Sequence, residues 1–200
     1  MRKSIIKLTK TEFDFLSRED YPKIKQQVIQ KLCQRLDSLG VLMQQSILST
    51  NETVMMELHQ AQFKTSRGEN YQQLPYVVLD YPKIKNAEFV LLFRTMCWWG
   101  KYFSLNVFLR SSSFNTKHLA DILQQKSFEK VKLYTGDDLW QQDLDHNDFI
   151  KISSLKKTDL ITQINKKSYI KLSLKVPLKK WNELDEKAIE FYSNIFKKMA

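Results

Sequence analysis

The sequence predicts a single α+β domain over residues 1–200. It is expected to hold a mainly antiparallel sheet around a central hairpin near 89–110, with helices packed on it and long helices towards both ends. Three observations carry this. Residues 102–110 and 169–176 alternate apolar and polar side chains, as half-buried strands do. Residues 24–39 and 184–199 repeat apolar side chains at helical spacing. The order of these elements lacks regular βαβ alternation, which disfavours a doubly wound parallel sheet.

Taken in order, Thr9 and Glu12 match a capping box and predict a short helix from about Lys10 to Arg18, with Phe13 and Leu16 as its buried edge. Asp20-Tyr21-Pro22 puts proline at a first helical position. Ile24, Val28, Leu32, Leu36 and Leu39 then mark one face, shared by Cys33. Gly40 either ends this helix or interrupts it, because the apolar pattern continues to about Leu48. Residues 49–65 are ambiguous, with Val54 to Phe63 compatible with a strand. Arg67-Gly68-Glu69-Asn70 reads as a turn, since glycine and asparagine tolerate positive φ. Tyr76–Tyr81 is a β-rich run that Pro82 should stop, and Asn86 is placed to cap a helical turn through Ala87 and Glu88.

The densest apolar stretch, Phe89–Arg110, follows. Phe89–Trp99 is apolar on both faces, as a covered strand would be, although Phe89, Leu92, Phe93 and Met96 also fit a helix. Trp99-Gly100-Lys101 supplies a tight turn. Asn115 or Thr116 caps a helix carrying Leu119, Ile122 and Leu123. Lys130–Thr135 and Phe149–Ser153 read as strands joined by an acidic connection, Gly136–Asp148, that holds Trp140. A helix runs from Thr158 to about Asn165. In Tyr169–Val176, Ile170, Leu172, Leu174 and Val176 share one face, while Lys171, Ser173 and Lys175 should face water until Pro177 ends the strand. Asn182 and Asp185 open a last helix striped by Leu184, Ala188, Phe191, Ile195 and Met199. The hexapeptide DYPKIK occurs at 20–25 and again at 80–85, but its flanks do not align as those of a structural repeat should.

Charge is unevenly spread. The formal net charge is +10; residues 151–200 carry 12 lysines, no arginine and 5 acidic residues, or +7. Such a basic third suits an acidic partner or a nucleic acid, and the aromatics Tyr169 and Trp181 stand among its lysines. Without arginine, bidentate contact with phosphates or bases is missing, so nucleic acid is the weaker expectation. Two separate cysteines, Cys33 and Cys97, fit a reduced, cytoplasmic setting and make no disulfide framework. No apolar run is long enough for a transmembrane segment, and no signal peptide is expected.

Complete catalytic motifs are absent. His59, His118 and His146 are isolated, so no metal site and no cofactor are expected. Asp143, Asp145 and Asn147 begin like a calcium loop, which then fails at Asp148 and Ser154, where glycine and glutamate are needed. The glycines at 40, 68, 100 and 136 build no phosphate loop.

What remains is polar residues set in apolar stretches. Arg94 is the only charge between Phe89 and Gly100, and Asp80 closes Val77-Val78-Leu79. These two are expected either to pair across neighbouring strands or to serve a ligand. The leading functional expectation is a small-molecule or partner-binding domain whose partly apolar pocket gathers Arg67, Asn70, Tyr71, Asp80, Arg94, Trp98 and Trp99. Arg94 would hold an anionic group there. The alternatives are binding of nucleic acid or an acidic partner through the lysine-rich third, and an enzyme with Glu69 or Asp80 as base beside Arg94.

Overall fold

The structure, a computed structural model, describes residues 6–48, 62–85, 90–110 and 115–199. Helix α1 (Lys10–Leu16) opens on the expected capping box, in which the Glu12 carboxylate accepts from the Thr9 N–H at 2.6 Å. The cap fixes this helix with no buried residue, and Phe15 packs on Tyr21, with 4.3 Å between ring centres. Phe13 and Leu16 are 59% and 71% exposed, so the expected buried edge is absent. Helix α2 (Asp20–Leu48) runs through Gly40 unbroken. Its stripe is buried at Leu32, Leu36, Leu39 and Met43, but Ile24 and Val28 are exposed, because the core begins only beneath Ile29.

Strands β1 (Lys64–Tyr71) and β2 (Leu74–Lys85) meet at Gln72 and Gln73, whose φ values are 49° and 65°. The turn therefore lies beyond Arg67–Asn70, which belongs to β1. Pairing of Lys64–Gly68 with Tyr76–Asp80 holds that segment extended despite its turn-forming residues. Asn70 still serves the turn, since its Oδ1 accepts from the Gln73 N–H at 3.1 Å. Pro82 does not stop β2 either. The strand continues through a cis Tyr81–Pro82 bond and a register shift between Asp80 and Lys83, and proline removes one ladder donor there without ending the strand. Almost all of the ambiguous Val54–Phe63 segment, and the helical turn expected at Asn86–Glu88, lie outside the described residues.

Strands β3 (Val90–Trp98) and β4 (Tyr102–Arg110) form the central hairpin, with Gly100 at φ 68° in the turn, where a side chain would be strained. Asn115 caps α3 (Thr116–Leu123). Then come β5 (Lys132–Tyr134), β6 (Phe149–Lys151), α4 (Lys157–Asn165), β7 (Tyr169–Pro177) and α5 (Leu184–Met199). The fold is α+β, with one seven-stranded sheet in the order β1-β2-β3-β4-β7-β5-β6 and every described pairing antiparallel.

The pleat separates two faces. Val77, Leu79, Phe93, Cys97, Phe103, Leu105, Val107, Ile170 and Leu172 point to the helices and make the main core with α2 to α5. Burial there pushes the Cys97 thiol up to about 12, which leaves it inert. On this side Tyr192 of α5 stacks on Phe93 at 4.7 Å and shares a 3.0 Å hydrogen bond with Thr95. Helix α2 packs on α5, and α3 on α4. Val78, Met96, Trp98, Tyr102, Tyr134 and Phe149 point the other way, where Leu144 of the 136–148 connection covers them.

That cover overturns one expectation. The polar face of β7 does not meet water throughout, because Lys171 and Ser173 are fully buried beneath the connection and only Lys175 is exposed. Strict alternation marks two different faces without saying what covers them.

Candidate functional site

On the second face, a polar row crosses four strands. Asp80 of β2 and Arg94 of β3 are register partners. The Arg94 Nε and Nη2 donate to the two Asp80 carboxylate oxygens at 2.7 and 2.8 Å, a planar bidentate pair. Asn106 of β4 follows, donating to the Arg94 carbonyl at 3.3 Å and accepting from the Ser173 hydroxyl of β7 at 2.7 Å. Lys171, two residues along β7, ends the row.

The 136–148 connection is strapped over this row by buried donors. Gly136 starts it where a Cβ would lie 2.3 Å from the Tyr134 hydroxyl oxygen, so any larger residue must displace that side chain. The Lys171 ammonium donates to the carbonyls of Leu139, at 2.9 Å, and Gln141. It also stands 5.0–5.3 Å from the ring centres of Phe108, Tyr134 and Phe149. Burial, with the Arg94 charge nearby, lowers its pKa to about 7. Tyr71 donates to Gln141 Oε1 at 2.8 Å and accepts from the Gln142 N–H at 2.7 Å. Tyr102 accepts from the Leu144 N–H at 2.6 Å. Burial pushes both phenols above their ordinary pKa. Trp140, 59% exposed, lies over the Arg94 guanidinium with 4.9 Å to its ring centre.

The structure places Tyr71, Asp80, Arg94 and Trp98 on one face, where they engage one another and the strap. Trp98 is buried and donates to the Tyr71 carbonyl at 3.2 Å. Trp99 points to the opposite face and packs on the main core. Arg67 and Asn70 are exposed on the edge strand β1. Glu69, also exposed, pairs with Lys25. Both Asp80 oxygens are held by Arg94, which argues against that carboxylate as a general base. Among the described residues, no group of histidine, cysteine and carboxylate side chains is arranged for a metal, and no helix is long and apolar enough to cross a membrane.

An open concavity lies elsewhere. A cleft of about 590 Å³ separates α5 from the 126–130 segment at the far end of β7. Phe128, Leu174, Val176 and Phe191 give it an apolar floor, Lys126, Lys130, Lys180 and Lys187 rim it, and Lys175 lines it from β7 with its ammonium turned to the Tyr102 ring on the strap face. Lys180 and Lys187 share Glu183 at 2.8 and 3.2 Å, and Lys175 pairs with Asp145 at 2.7 Å. Lys126 and Lys130 have no carboxylate partner among the described residues. Glu129 and Glu190 also line the cleft. No protein-family model and no curated protein sequence matches the chain.

The cleft was legible only as a bias. Lys175 and Lys180 stood in the lysine-rich third, but Lys126, Phe128 and Lys130 come from a turn more than forty residues earlier. That third is not one surface, since Lys171 is buried under the strap and Lys167 pairs with Asp137.

Proposed function

We propose that the protein is a binding module that takes an anionic partner with apolar parts in the lysine-rimmed cleft beside β7. One observation carries this reading: the cleft joins an apolar floor to the side chains of four lysines, Lys126, Lys130, Lys180 and Lys187, in a volume suited to a small ligand or a short segment of chain. Lys126 and Lys130 are the cations left to meet an incoming charge, because Lys180 and Lys187 already face Glu183. Of the expectations drawn from sequence, this one develops the acidic-partner alternative. The expected pocket at Arg94 is less supported, because the Asp80 pair and Trp140 already occupy the guanidinium.

The test uses anilinonaphthalenesulfonate, which pairs an apolar ring system with one anion. The wild-type protein should bind it saturably, and Lys126→Glu/Lys130→Glu should weaken binding about tenfold. Circular dichroism checks that the variant is folded. Equal binding by the folded variant would remove the cleft from the proposal.

A further inference from the structure

The cleft is bounded by an unfinished sheet edge. β4 pairs with β7 along its whole length, from Arg110↔Tyr169 to Tyr102↔Pro177. On the other side β5 reaches only Leu172 and Ser173, and the pair Lys132↔Ser173 is the last. Leu174–Pro177 therefore has no strand partner on that edge among the described residues. These same four residues line the cleft. The 126–130 segment does not extend β5 along them. It closes instead in a 3₁₀ turn, Lys126–Phe128, where the Phe128 N–H bonds back to the Gln125 carbonyl at 2.9 Å. An unpaired sheet edge inside a concavity presents main-chain donors and acceptors to whatever enters.

Resting on the cleft reading above, we infer that the occupant is an extended acidic peptide segment that adds as a short strand to the free edge of β7. Four residues of edge span about 13 Å, but alternate residues of β7 already turn their main-chain groups to β4, so the free edge offers the Lys175 N–H and carbonyl and the Pro177 carbonyl. Main-chain hydrogen bonds supply affinity without sequence preference, and alternate side chains of the added strand point to opposite faces. One set falls on the apolar floor at Phe128, Leu174 and Phe191, which calls for apolar side chains. The other set meets the rim, where Lys126 and Lys130 call for carboxylates. A nucleic acid strand fits less well, because the free edge offers peptide groups and the chain's third containing β7 has no arginine. Glu129 and Glu190 on the lining also oppose a uniformly charged polyanion more than a peptide with alternating charge.

The test uses a labelled nonapeptide alternating glutamate and valine, followed by fluorescence anisotropy. It is compared with its fully N-methylated form, its glutamine-for-glutamate form and an oligothymidylate. The expected result is binding of the plain peptide alone, weakened about tenfold by Lys126→Glu/Lys130→Glu. Amide exchange at Lys175, whose N–H faces the free edge, should slow in the complex. Equal binding of the N-methylated peptide overturns strand addition. Equal binding of the glutamine peptide overturns the acidic requirement, and tighter binding of the oligothymidylate overturns the peptide class. If no peptide binds while anilinonaphthalenesulfonate does, this inference falls and the cleft reading stands. If neither binds, both fall.

Discussion

The two faces of the sheet are built on different physics. The helix face is a continuous apolar core in which Phe93, Leu105, Val107 and Leu172 are sealed by four helices. The strap face holds a smaller apolar cluster beside a row of charges and amides, closed by thirteen residues of irregular chain. Area removed from water stabilises the first with no demand on hydrogen-bond geometry. The second depends on each buried polar group finding its partner, since an unpaired one costs about 1–3 kcal/mol and a charge more. Substitutions should therefore act by volume on one face and by partner on the other.

The largest effect is expected on the helix face. Phe93→Ala removes the ring stacked on Tyr192 and leaves a cavity, at a cost of about 3–5 kcal/mol in chemical denaturation. On the strap face, Arg94→Ala is predicted to cost about 3 kcal/mol, because it leaves the Asp80 carboxylate largely buried without its counter-charge. Arg94→Met with Asp80→Leu should recover most of that loss, whereas no second substitution at Asp80 rescues Phe93→Ala. A double variant as unstable as Arg94→Ala alone would erase the distinction between partner and volume.

How much of this was legible in the sequence differs between the faces in the same way. Periodicity reports where apolar side chains sit, so the central hairpin, the buried stripe of α2 and the core face of β7 could be read directly. The Arg94–Asp80 pair was legible too, as two charges stranded in neighbouring apolar runs. Nothing local disclosed that residues 136–148 fold over Lys171, because carbonyls of Leu139 and Gln141 are the partners and every residue has a carbonyl. The hexapeptide DYPKIK makes the point in one chain: at 20–25 it opens α2, and at 80–85 it lies in β2. Neighbouring strands decide the second case, and six residues cannot encode that.

The next prediction exploits the charge under the strap. Lys171 holds its proton to about 7 in the folded protein, whereas the unfolded chain keeps it to the ordinary value of 10.5. Between these values the unfolded state binds more protons, so stability rises with pH and is lowest below about 7. From pH 7 to 9.5 the gain should be roughly 2 kcal/mol, once strap relaxation is allowed for. Lys171→Met keeps the volume among Phe108, Tyr134 and Phe149 but removes the titration, so its stability should be flat across that window. Denaturation at several pH values reads the slope, and a slope unchanged in the variant would mean that Lys171 is not its source.

The smallest expected effect separates latch from ornament on the strap. Trp140 is its one large aromatic side chain, but it is mostly exposed and touches the face below through Arg94 and, at 6.2 Å between ring centres, Phe108. Trp140→Ala should therefore cost only about 1 kcal/mol. The Leu144 amide, donated to the buried Tyr102 hydroxyl at 2.6 Å, should keep its protection from hydrogen exchange in that variant. Tyr102→Phe removes the acceptor and should expose the same amide with the indole still in place. If instead the Trp140 substitution alone collapses protection at Leu144, apolar cover holds the strap, and the two faces differ in size rather than in kind.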